Sequence, residues 1–179
     1  MSEATRNLYS KFAPLYRAQG YWLRRISPGS KACYDPSWQV PDPEQPLERL
    51  KDWLEGDGSF GIGLLMGSPL PDGSRLGALD IDSDLYVALG RAVLGSTPCG
   101  RIGKKGAVVF VRIVGRETNA EFWVNGDFAH LGKVAECLFH RKLCVIPPTI
   151  HPDTKRSYRW IGPTLLEVDY RDLPIVEIP

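Results

Sequence analysis

Two carboxylates separated by one residue lie in the segment Gly77–Asp84, which reads GALDIDSD. In an extended chain, alternate side chains project from opposite faces, so Asp80 and Asp82 would point together, away from the apolar residues that flank them. Like charges this close are tolerated mainly when they share a cation, and oxygen-only ligands suit Mg²⁺ or Mn²⁺. The pattern predicts a divalent-metal site, although a strand that ends at a helix with Ser83 or Asp84 as its N-cap would also produce it.

A third carboxylate, Glu136, lies within the apolar segment Val134–Leu138. An acidic side chain in an apolar strand is costly unless it faces solvent or a partner. On a neighbouring strand, Glu136 would complete a triad with Asp80 and Asp82. A solvated face of the sheet is the structural alternative.

Three cations lie within five residues in the segment Arg101–Gly106, which reads RIGKKG. The two glycines allow the backbone to approach an anion, and Arg101, Lys104 and Lys105 supply the positive charge that a triphosphate or a nucleic-acid backbone requires. A basic loop that is merely solvated has the same composition. Its position between a predicted helix and a predicted buried strand makes anion binding an equal candidate.

A proline-rich segment, Pro147–Pro152, holds a hydroxyl and an imidazole within the sequence PPTIHP. The prolines stiffen the loop, so Thr149 and His151 would be positioned at low entropic cost. We interpret His151 in this loop as functional. Beyond the loop, Tyr158 and Trp160 could stack a base or could pack in the core.

The composition describes an ordinary globular domain. The chain has 179 residues, of which 43% are hydrophobic and 24% charged, and this length suffices to bury a sizeable core. No apolar run approaches the roughly 20 residues of a membrane span, and the N-terminal residues lack the apolar centre of a signal peptide. We therefore expect a cytoplasmic protein without membrane contact. The four cysteines show no Cys-x-x-Cys pairing, so we expect reduced, mostly buried thiols.

The net charge of +1 conceals an uneven distribution along the chain. Residues 41–84 carry ten acidic and three basic side chains, whereas residues 99–160 carry eleven basic and five acidic ones. Two solvated faces would produce this division. A carboxylate–metal centre beside a phosphate-binding surface would produce it as well.

The elements that must position these residues follow from hydrophobic spacing and turn residues. Helices are predicted over residues 8–19, 47–54 and 84–94. Strands are predicted over residues 21–26, 61–66, 76–81, 107–113, 122–124, 132–138, 143–146, 158–161 and 165–168, followed by a short extended tail. A helix followed by many short strands with few further helices predicts an α+β fold.

The motifs together resemble the N-terminal bifunctional primase–polymerase domain of the archaeo-eukaryotic primase superfamily, in its phage- and plasmid-like branch. The resemblance extends over residues 8–170. It rests on Gly20 and on the segments Pro28–Lys31, Gly61–Leu64, Leu79–Asp82, Gly103–Gly106 and Pro147–Trp160. It implies an RRM-like catalytic sheet packed against a smaller N-terminal α/β unit, in a single domain over residues 1–179. The small unit would span residues 8–75 and the RRM-like unit residues 76–170.

The resemblance also assigns the acidic residues. The Asp-x-Asp motif of the family falls on Asp80 and Asp82, and the acid of its third motif falls on Glu136. These three side chains would be the catalytic residues and the ligands of Mg²⁺ or Mn²⁺. Two such ions about 4 Å apart would activate the attacking 3′-hydroxyl and stabilise the pyrophosphate leaving group.

The nucleotide-binding residues depart from the family pattern at one motif. The second motif of the family contains a His that touches the phosphates, but the strand after the basic segment has none. In this hypothesis Arg101, Lys104 and Lys105 grip the triphosphate instead. Thr149 and His151 would orient its phosphates or its sugar.

The partners implied by the resemblance are a single-stranded DNA template and nucleoside triphosphates, either ribo- or deoxynucleotides. Lys31, Arg24 and Arg25 are the candidates for template contact, which would be largely electrostatic. A replicative helicase, fused or separate, is a further possible partner. The expected setting is the replication of a phage, a plasmid or an integrated element.

The leading hypothesis is therefore a DNA-dependent nucleotidyltransferase that synthesises primers, extends them, or does both. An alternative is a module that keeps the primase fold for nucleic-acid binding or initiation and has lost catalysis, with the missing His as its trace. A nuclease of the rolling-circle type is disfavoured, because such enzymes need paired His ligands and no His-x-His pair is present.

Overall fold

The computed structural model describes residues 8–55, 59–95, 98–116 and 118–178. The α-helices within these ranges are α1 (Leu8–Ala18), α2 (Leu47–Glu55) and α3 (Asp84–Leu94). Short 3₁₀ helices lie at Asp42–Glu44, Gly126–Leu131 and Tyr170–Asp172. The strands are β1 (Leu23–Ile26), β2 (Gly61–Leu65), β3 (Arg75–Ile81), β4 (Gly100–Ile102), β5 (Ala107–Gly115), β6 (Ala120–Trp123), β7 (Lys133–Leu138), β8 (Leu143–Ile146), β9 (Arg159–Ile161) and β10 (Ile175–Ile178). The ends of the expected domain, residues 1–7 and 179, lie outside the described residues.

A small antiparallel sheet has the strand order β1-β2-β8. Its central strand β2, with the sequence GIGLL, is buried along its whole length. Helix α1 packs on this sheet and buries Tyr9, Ala13 and Tyr16, which recur at helical spacing. Gly61 is required at the start of β2, because a Cβ atom there would lie 2.4 Å from the side chain of Thr149.

A larger sheet has the strand order β6-β7-β3-β5-β4-β9. Strand β3 pairs antiparallel with β5 over Arg75–Ile81 and with β7 over Ala78–Ile81. The long strand β5 pairs with β4 in its first half and, in parallel, with β10 in its second half. Strand β3 therefore lies inside the sheet, where hydrogen bonds fix both of its edges.

The two sheets share one hydrophobic core. It joins Tyr9 and Leu64 of the small-sheet region to Leu76 and Phe110 of the large sheet, and all four side chains are fully buried. Strand β8 comes from the second half of the chain but pairs with β2 in the small sheet. The predicted RRM-like part of the chain therefore supplies one strand of the small sheet, and the two sheets share a common core.

The two faces of β3 have different surroundings. Leu79 and Ile81 lie under α3, where Gly90 is needed because a Cβ atom there would lie 2.5 Å from Ile81 Cδ1. Leu76 and Ala78 lie on the opposite face, in the core between the sheets. Because side chains alternate along a strand, Asp80 also belongs to this second face. The central strand thus carries a carboxylate into the space between the two sheets.

The predicted α+β fold is confirmed, and the three predicted helices and eight of the nine predicted strands agree with the structure to within two residues at each end. The strand predicted over residues 165–168 is wrong. Here the amides of Glu167 and Val168 donate to the Thr164 carbonyl, and the Glu167 carboxylate accepts a hydrogen bond from the Thr164 amide at 2.8 Å. These local bonds form a turn, and the buried side chain of Leu165 anchors this turn in the core.

Strand β4 is not predicted from the sequence, because two of its three residues, Arg101 and Ile102, open the basic segment, whose glycines and charges favour a loop. The extended tail forms a 3₁₀ turn and then β10. The longest described helices have 11 residues, and none in the described ranges combines the length and apolarity needed to cross a membrane. All four cysteines are free and buried, as expected.

Candidate active site

Three acidic side chains meet on the face of the large sheet that is directed toward the small sheet. The register of β3 and β7 sets Asp80 directly opposite Glu136, and residues opposite each other on antiparallel strands share one face. The amide of Asp82 donates to the Val134 carbonyl at 2.9 Å, so the pairing of the two strands continues past the end of β3. The structure thus brings together the three carboxylates that the sequence suggests as metal ligands.

Glu136 is already paired with two lysines. Its Oε2 atom accepts a hydrogen bond from Lys133 Nζ at 2.9 Å, and its Oε1 atom accepts one from Lys142 Nζ at 2.7 Å. Burial opposes ionisation of Glu136, but the bonds from Lys142 and Lys133 outweigh it and lower the pKa of this carboxyl. Both oxygens of Glu136 are therefore engaged by positive charge.

Lys133 lies at the centre of the carboxylate cluster. Besides Glu136, its Nζ atom lies 3.5 Å from Asp82 Oδ2 and 3.8 Å from Glu121 Oε1. The hydrogen bond to Glu136 is the main cause of a raised pKa for Lys133, and the neighbouring carboxylates add to it. The ammonium is therefore charged at neutral pH and balances part of the negative charge.

Asp80 and Asp82 have oxygens that are not engaged in this way. Burial is the main reason why the pKa of Asp80 is raised; Arg101 opposes the shift, and the charges of Asp82 and Glu136 add to it. Asp82 Oδ2 is buried and has no hydrogen-bond donor within the described ranges. The Lys133 ammonium, 3.5 Å from this oxygen, balances part of its charge without donating a hydrogen bond to it.

These observations decide how well the carboxylates fit Mg²⁺ or Mn²⁺. Asp80 and Asp82 supply oxygen atoms of the kind that these ions prefer; Asp82 Oδ2 accepts no hydrogen bond among the described residues, but the Lys133 ammonium lies 3.5 Å from it. In the described part of the chain, however, no group of three or more His, Cys, Asp or Glu side chains is arranged to hold a metal ion. The pair Asp80–Asp82 fits a divalent ion, whereas Glu136 is held by lysines.

A cavity of about 570 Å³ opens between these acids and a wall of basic residues. Strand β3 contributes the acids, β4 and the loop after it contribute cations, and β8 contributes two apolar side chains. Its lining consists of Lys31, Asp80, Asp82, Arg101, Lys104, Lys105, Leu143, Val145, His151, Asp153 and Tyr158. Residues far apart in the sequence therefore form one mixed polar and apolar pocket between the two sheets.

Arg101 forms the inner part of the basic wall. Its guanidinium carbon lies 4.9 Å from the centre of the Tyr158 ring, a distance suited to a cation–π contact. Its Nε atom is buried and has no acceptor among the described residues. Because Arg101 also lines the cavity, its guanidinium can pair with an anion there.

The loop after β4 carries Lys104 and Lys105 and is fixed at its end. The Gly106 amide donates to Asp84 Oδ1 at 2.7 Å. Gly106 has φ 62°, and a Cβ atom there would lie 1.8 Å from the Ile81 carbonyl oxygen, so glycine is required. Asp84, the third acid of GALDIDSD, therefore holds the basic loop beside the carboxylates.

His151 presents one ring nitrogen to the cavity and uses the other for its own loop. Its Nδ1 atom accepts hydrogen bonds from the amides of Asp153 and Thr154, at 3.1 and 3.4 Å. Burial, followed by the positive charge of Lys31, lowers the pKa of His151. The neutral ring therefore carries its proton on Nε2, which makes it a hydrogen-bond donor.

Thr149 does not have the position expected of a nucleotide-binding residue. Its side chain is buried, and its hydroxyl donates to the Ile62 carbonyl at 3.0 Å and accepts from the Ile62 amide at 2.7 Å. Both bonds tie the proline-rich loop to β2. The expectation that Thr149 orients the nucleotide is therefore replaced by a structural role.

Arg24 is also misassigned by the sequence interpretation. Its side chain has no exposed surface, and it donates to Asp42 Oδ1 at 2.5 Å and to the Val40 carbonyl at 2.7 Å. Its guanidinium lies 5.3 Å from the Trp53 ring centre. A fully buried arginine with fixed partners cannot touch a template, so Arg24 is a core residue.

The other two candidates for template contact differ from each other. Arg25 forms an ion pair with both oxygens of Asp35, with 3.0 Å between Nε and Oδ2, and lies 4.4 Å from the Phe60 ring centre. Lys31 lines the cavity. Of these residues, Lys31 is therefore the one that the structure brings to the candidate site.

Lys133 and Lys142 were not recognised from the sequence. Lys133 precedes Glu136 by three residues, a spacing that places side chains on opposite faces of a regular strand. The β6–β7 pairing skips Val134, since Phe122 pairs with Ala135 and Trp123 with Lys133. This β-bulge turns Lys133 toward Glu136, and no pattern in the sequence predicts the bulge.

Fold and site together define the class of protein: an α+β primase-type fold whose cavity combines carboxylates with a cationic wall. The chain matches the family described as bifunctional DNA primase/polymerase, N-terminal, over residues 13–179, and it belongs to that family. Membership implies DNA primase and DNA polymerase activity, a nucleotidyl transfer that uses a DNA template and nucleotides. A comparison with curated proteins finds no match.

Proposed function

We propose that this protein synthesises primers, extends them, or does both on a single-stranded DNA template, with the nucleoside triphosphate bound in the cavity between the two sheets. The observation that carries the proposal is that both acidic and basic side chains line this cavity. Asp80 and Asp82 line one side of it, and Arg101, Lys104 and Lys105 line the same pocket. Carboxylates for a metal ion and cations for phosphates are the two requirements of phosphoryl transfer.

Asp80 and Asp82 would hold Mg²⁺ or Mn²⁺, the ions that suit carboxylate oxygens. When bound there, a divalent ion would neutralise phosphate charge and favour ionisation of the primer 3′-hydroxyl. Glu136 would contribute through the lysines that it holds in place. The protein itself then positions the reactants and supplies fixed charges, which is how most of the rate enhancement of such reactions arises.

The basic residues would bind the triphosphate. Arg101 offers a buried Nε–H that lacks an acceptor, and charge-assisted hydrogen bonds to phosphate are among the strong ones. Lys104 is paired with Asp153 at 3.4 Å, but both side chains are more than half exposed, so this ion pair is weak and can exchange partners. His151 would donate its Nε2 proton to a phosphate or sugar oxygen.

The remaining assignments rest on the sequence resemblance. They are a role in the replication of a phage, plasmid or integrated element in the cytoplasm, and cooperation with a replicative helicase. Lys31, which lines the cavity, would contact the template or the nucleotide. Such contacts weaken as the salt concentration rises, because counterions are released on binding.

Primer synthesis by an Asp80→Asn variant tests the proposal. Incorporation of labelled nucleotides on a single-stranded template, with Mg²⁺ and separately with Mn²⁺, should fall by at least about 10²- to 10³-fold, since the variant loses a ligand for the charge-neutralising ion. Glu48→Gln, on the exposed side of α2, is the matched control and should retain wild-type rates. Wild-type activity in a folded Asp80→Asn variant would remove Asp80 from the active site.

One observation favours the binding or initiator module as a second candidate: both Glu136 oxygens are engaged by lysines, and no three-ligand group is preformed in the described ranges. A module of this kind would bind single-stranded DNA in a salt-dependent manner without incorporating nucleotides. The incorporation assay on the wild-type protein, with DNA binding measured in parallel, separates the two candidates.

A further inference from the structure

We propose that Lys133 is a built-in cation of the active site. In this proposal its ammonium takes the place of one of the two divalent ions expected from the sequence, and the carboxylate cluster binds a single divalent ion at Asp80 and Asp82. The inference rests on the proposed function, because it concerns the metal that this reaction would use.

The position of the ammonium is the first argument. Lys133 Nζ lies 2.9 Å from Glu136 Oε2 and 3.5 Å from Asp82 Oδ2. A divalent ion coordinated by both Asp82 and Glu136 would need the space between these carboxylates, and the ammonium occupies it. The Asp80 carboxylate accepts no hydrogen bond from the described residues and lines the cavity together with Asp82, so this pair stays open to an ion.

The way in which Lys133 is held is the second argument. The β-bulge at Val134 turns Lys133 toward Glu136, so the backbone of β7 places the ammonium there. The Lys133 side chain is 26% exposed and that of Glu136 13%, and an ion pair that is partly withdrawn from water is stronger than one on the surface. Moving the ammonium out would also leave Glu136 with Lys142 alone.

In place of a second ion, the site therefore holds the Lys133 ammonium of the chain itself. Such a charge is unaffected by chelators and does not exchange with other metals. The affinity of the remaining ion is set by Lys133, since a nearby positive charge opposes the binding of a cation.

Equilibrium binding of Mn²⁺ to the full chain, measured by the electron paramagnetic resonance signal of free Mn²⁺, tests the proposal without requiring catalysis. We expect one Mn²⁺ per wild-type molecule and two per molecule of Lys133→Met. The first ion should also bind about tenfold or more tightly in this variant, because a repelling charge has been removed. Lys133→Gln is a second, more polar variant that serves if Lys133→Met does not fold.

Lys142→Met is the matched control, since it removes an equal charge from the same Glu136 but not from the space beside Asp82. We expect it to bind one Mn²⁺. Two ions in the wild-type protein, or the same number of ions in wild type and both Lys133 variants, would overturn the proposal. Two ions in Lys142→Met would overturn it as well.

The result is separable from the outcome for the proposed function. If the wild-type protein incorporates no nucleotides but binds one Mn²⁺ and the Lys133 variants bind two, the function fails and the role of Lys133 stands. If incorporation is normal but the wild-type protein binds two ions, the function stands and the role of Lys133 fails.

Discussion

Two regions of the molecule contain arginine side chains that are withdrawn from solvent, and the regions differ in how completely the arginine donors are hydrogen-bonded. Beneath the small sheet, Arg24 donates to one carboxylate and to backbone carbonyls, and its partners are fixed. In the cavity between the sheets, Arg101 lies against the Tyr158 ring and keeps a buried Nε–H without an acceptor among the described residues.

The difference shows which kind of buried charge indicates a binding site. Complete pairing, as at Arg24, costs stability if it is disturbed but offers nothing to a ligand. Incomplete pairing, as at Arg101 and at Asp82 Oδ2, carries a cost in the folded protein that a ligand of opposite charge relieves. Binding sites therefore concentrate groups that the fold itself leaves without partners.

Replacement of Arg24 should have the largest effect, and the effect should be on stability. Arg24→Met removes the Arg24 donors from Asp42 Oδ1 and from the carbonyls of Leu23, Trp38 and Val40, so the free energy of unfolding should fall by about 3–5 kcal/mol. Urea unfolding measures this loss, with Lys51→Met on the exposed face of α2 as the matched control. A loss below about 1 kcal/mol would show that the pairing around Arg24 is less important than its geometry suggests.

Replacement of Arg101 should affect activity more than stability, the reverse of what is expected for Arg24. Arg101→Met should lower nucleotide incorporation by about 10²-fold, since it removes a preorganised donor for the triphosphate. Its free energy of unfolding should fall less than that of Arg24→Met, because the variant loses the Tyr158 contact and a charge near Asp80 but no Nε hydrogen bond. Steady-state incorporation and urea unfolding of the same preparation check both statements, with Arg159→Met on the neighbouring strand β9 as control. Equal effects of Arg24→Met and Arg101→Met on stability would erase the contrast between the two regions.

A smaller effect on activity is expected from replacement of Asp84, which does not line the cavity but holds the basic loop that does. Asp84→Ala removes the acceptor of the Gly106 amide, so the loop with Lys104 and Lys105 loses its anchor. The KM for nucleotide should rise about tenfold while kcat changes much less, in keeping with the value of a hydrogen bond to a charged group. Asp84→Asn, which retains an acceptor oxygen, should restore most of the affinity. Failure of this rescue would show that Asp84 acts through its charge.

The smallest effect concerns the pH dependence of stability. The pKa of His151 is lowered in the folded protein, first by burial and then by the charge of Lys31. Above the ordinary value of 6.5 the ring is neutral in both states, and its contribution to stability is complete. Below that value the unfolded chain takes up a proton before the folded one does, so stability is lost as the pH falls.

Urea unfolding between about pH 5 and pH 8 checks this expectation. Wild-type stability should decrease toward the acidic end more steeply than that of His151→Gln. Identical slopes for wild type and His151→Gln would mean that the cavity does not disfavour the charged ring.

The sequence predicts the position of a side chain or an element correctly where a single local rule determines it. Alternation along β3 places Asp80 on the side of the sheet opposite Leu79 and Ile81, and hydrophobic spacing locates the helices. The stiff proline-rich loop delivers His151 to the cavity.

The sequence fails where the outcome depends on distant partners. Thr149 and His151 share one loop and one pattern, but only the position of β2 decides that the hydroxyl bonds to Ile62. Arg24 and Arg25 are neighbours in a strand, and their partners Asp42 and Asp35 lie on a loop whose path no local signal reveals. The position of Lys133 depends on a single skipped residue in the pairing of two strands.

Strand β8 has a consequence for how the pocket works. It pairs with β2 through Cα partners such as Ile62 and Ile146, and it also lines the cavity with Leu143 and Val145. The small sheet, which contains this ladder, shares one hydrophobic core with the large sheet, so the two sheets cannot move apart without exposing buried apolar side chains. The width of the pocket is therefore set when the chain folds, and a nucleotide has to enter and leave through a fixed opening.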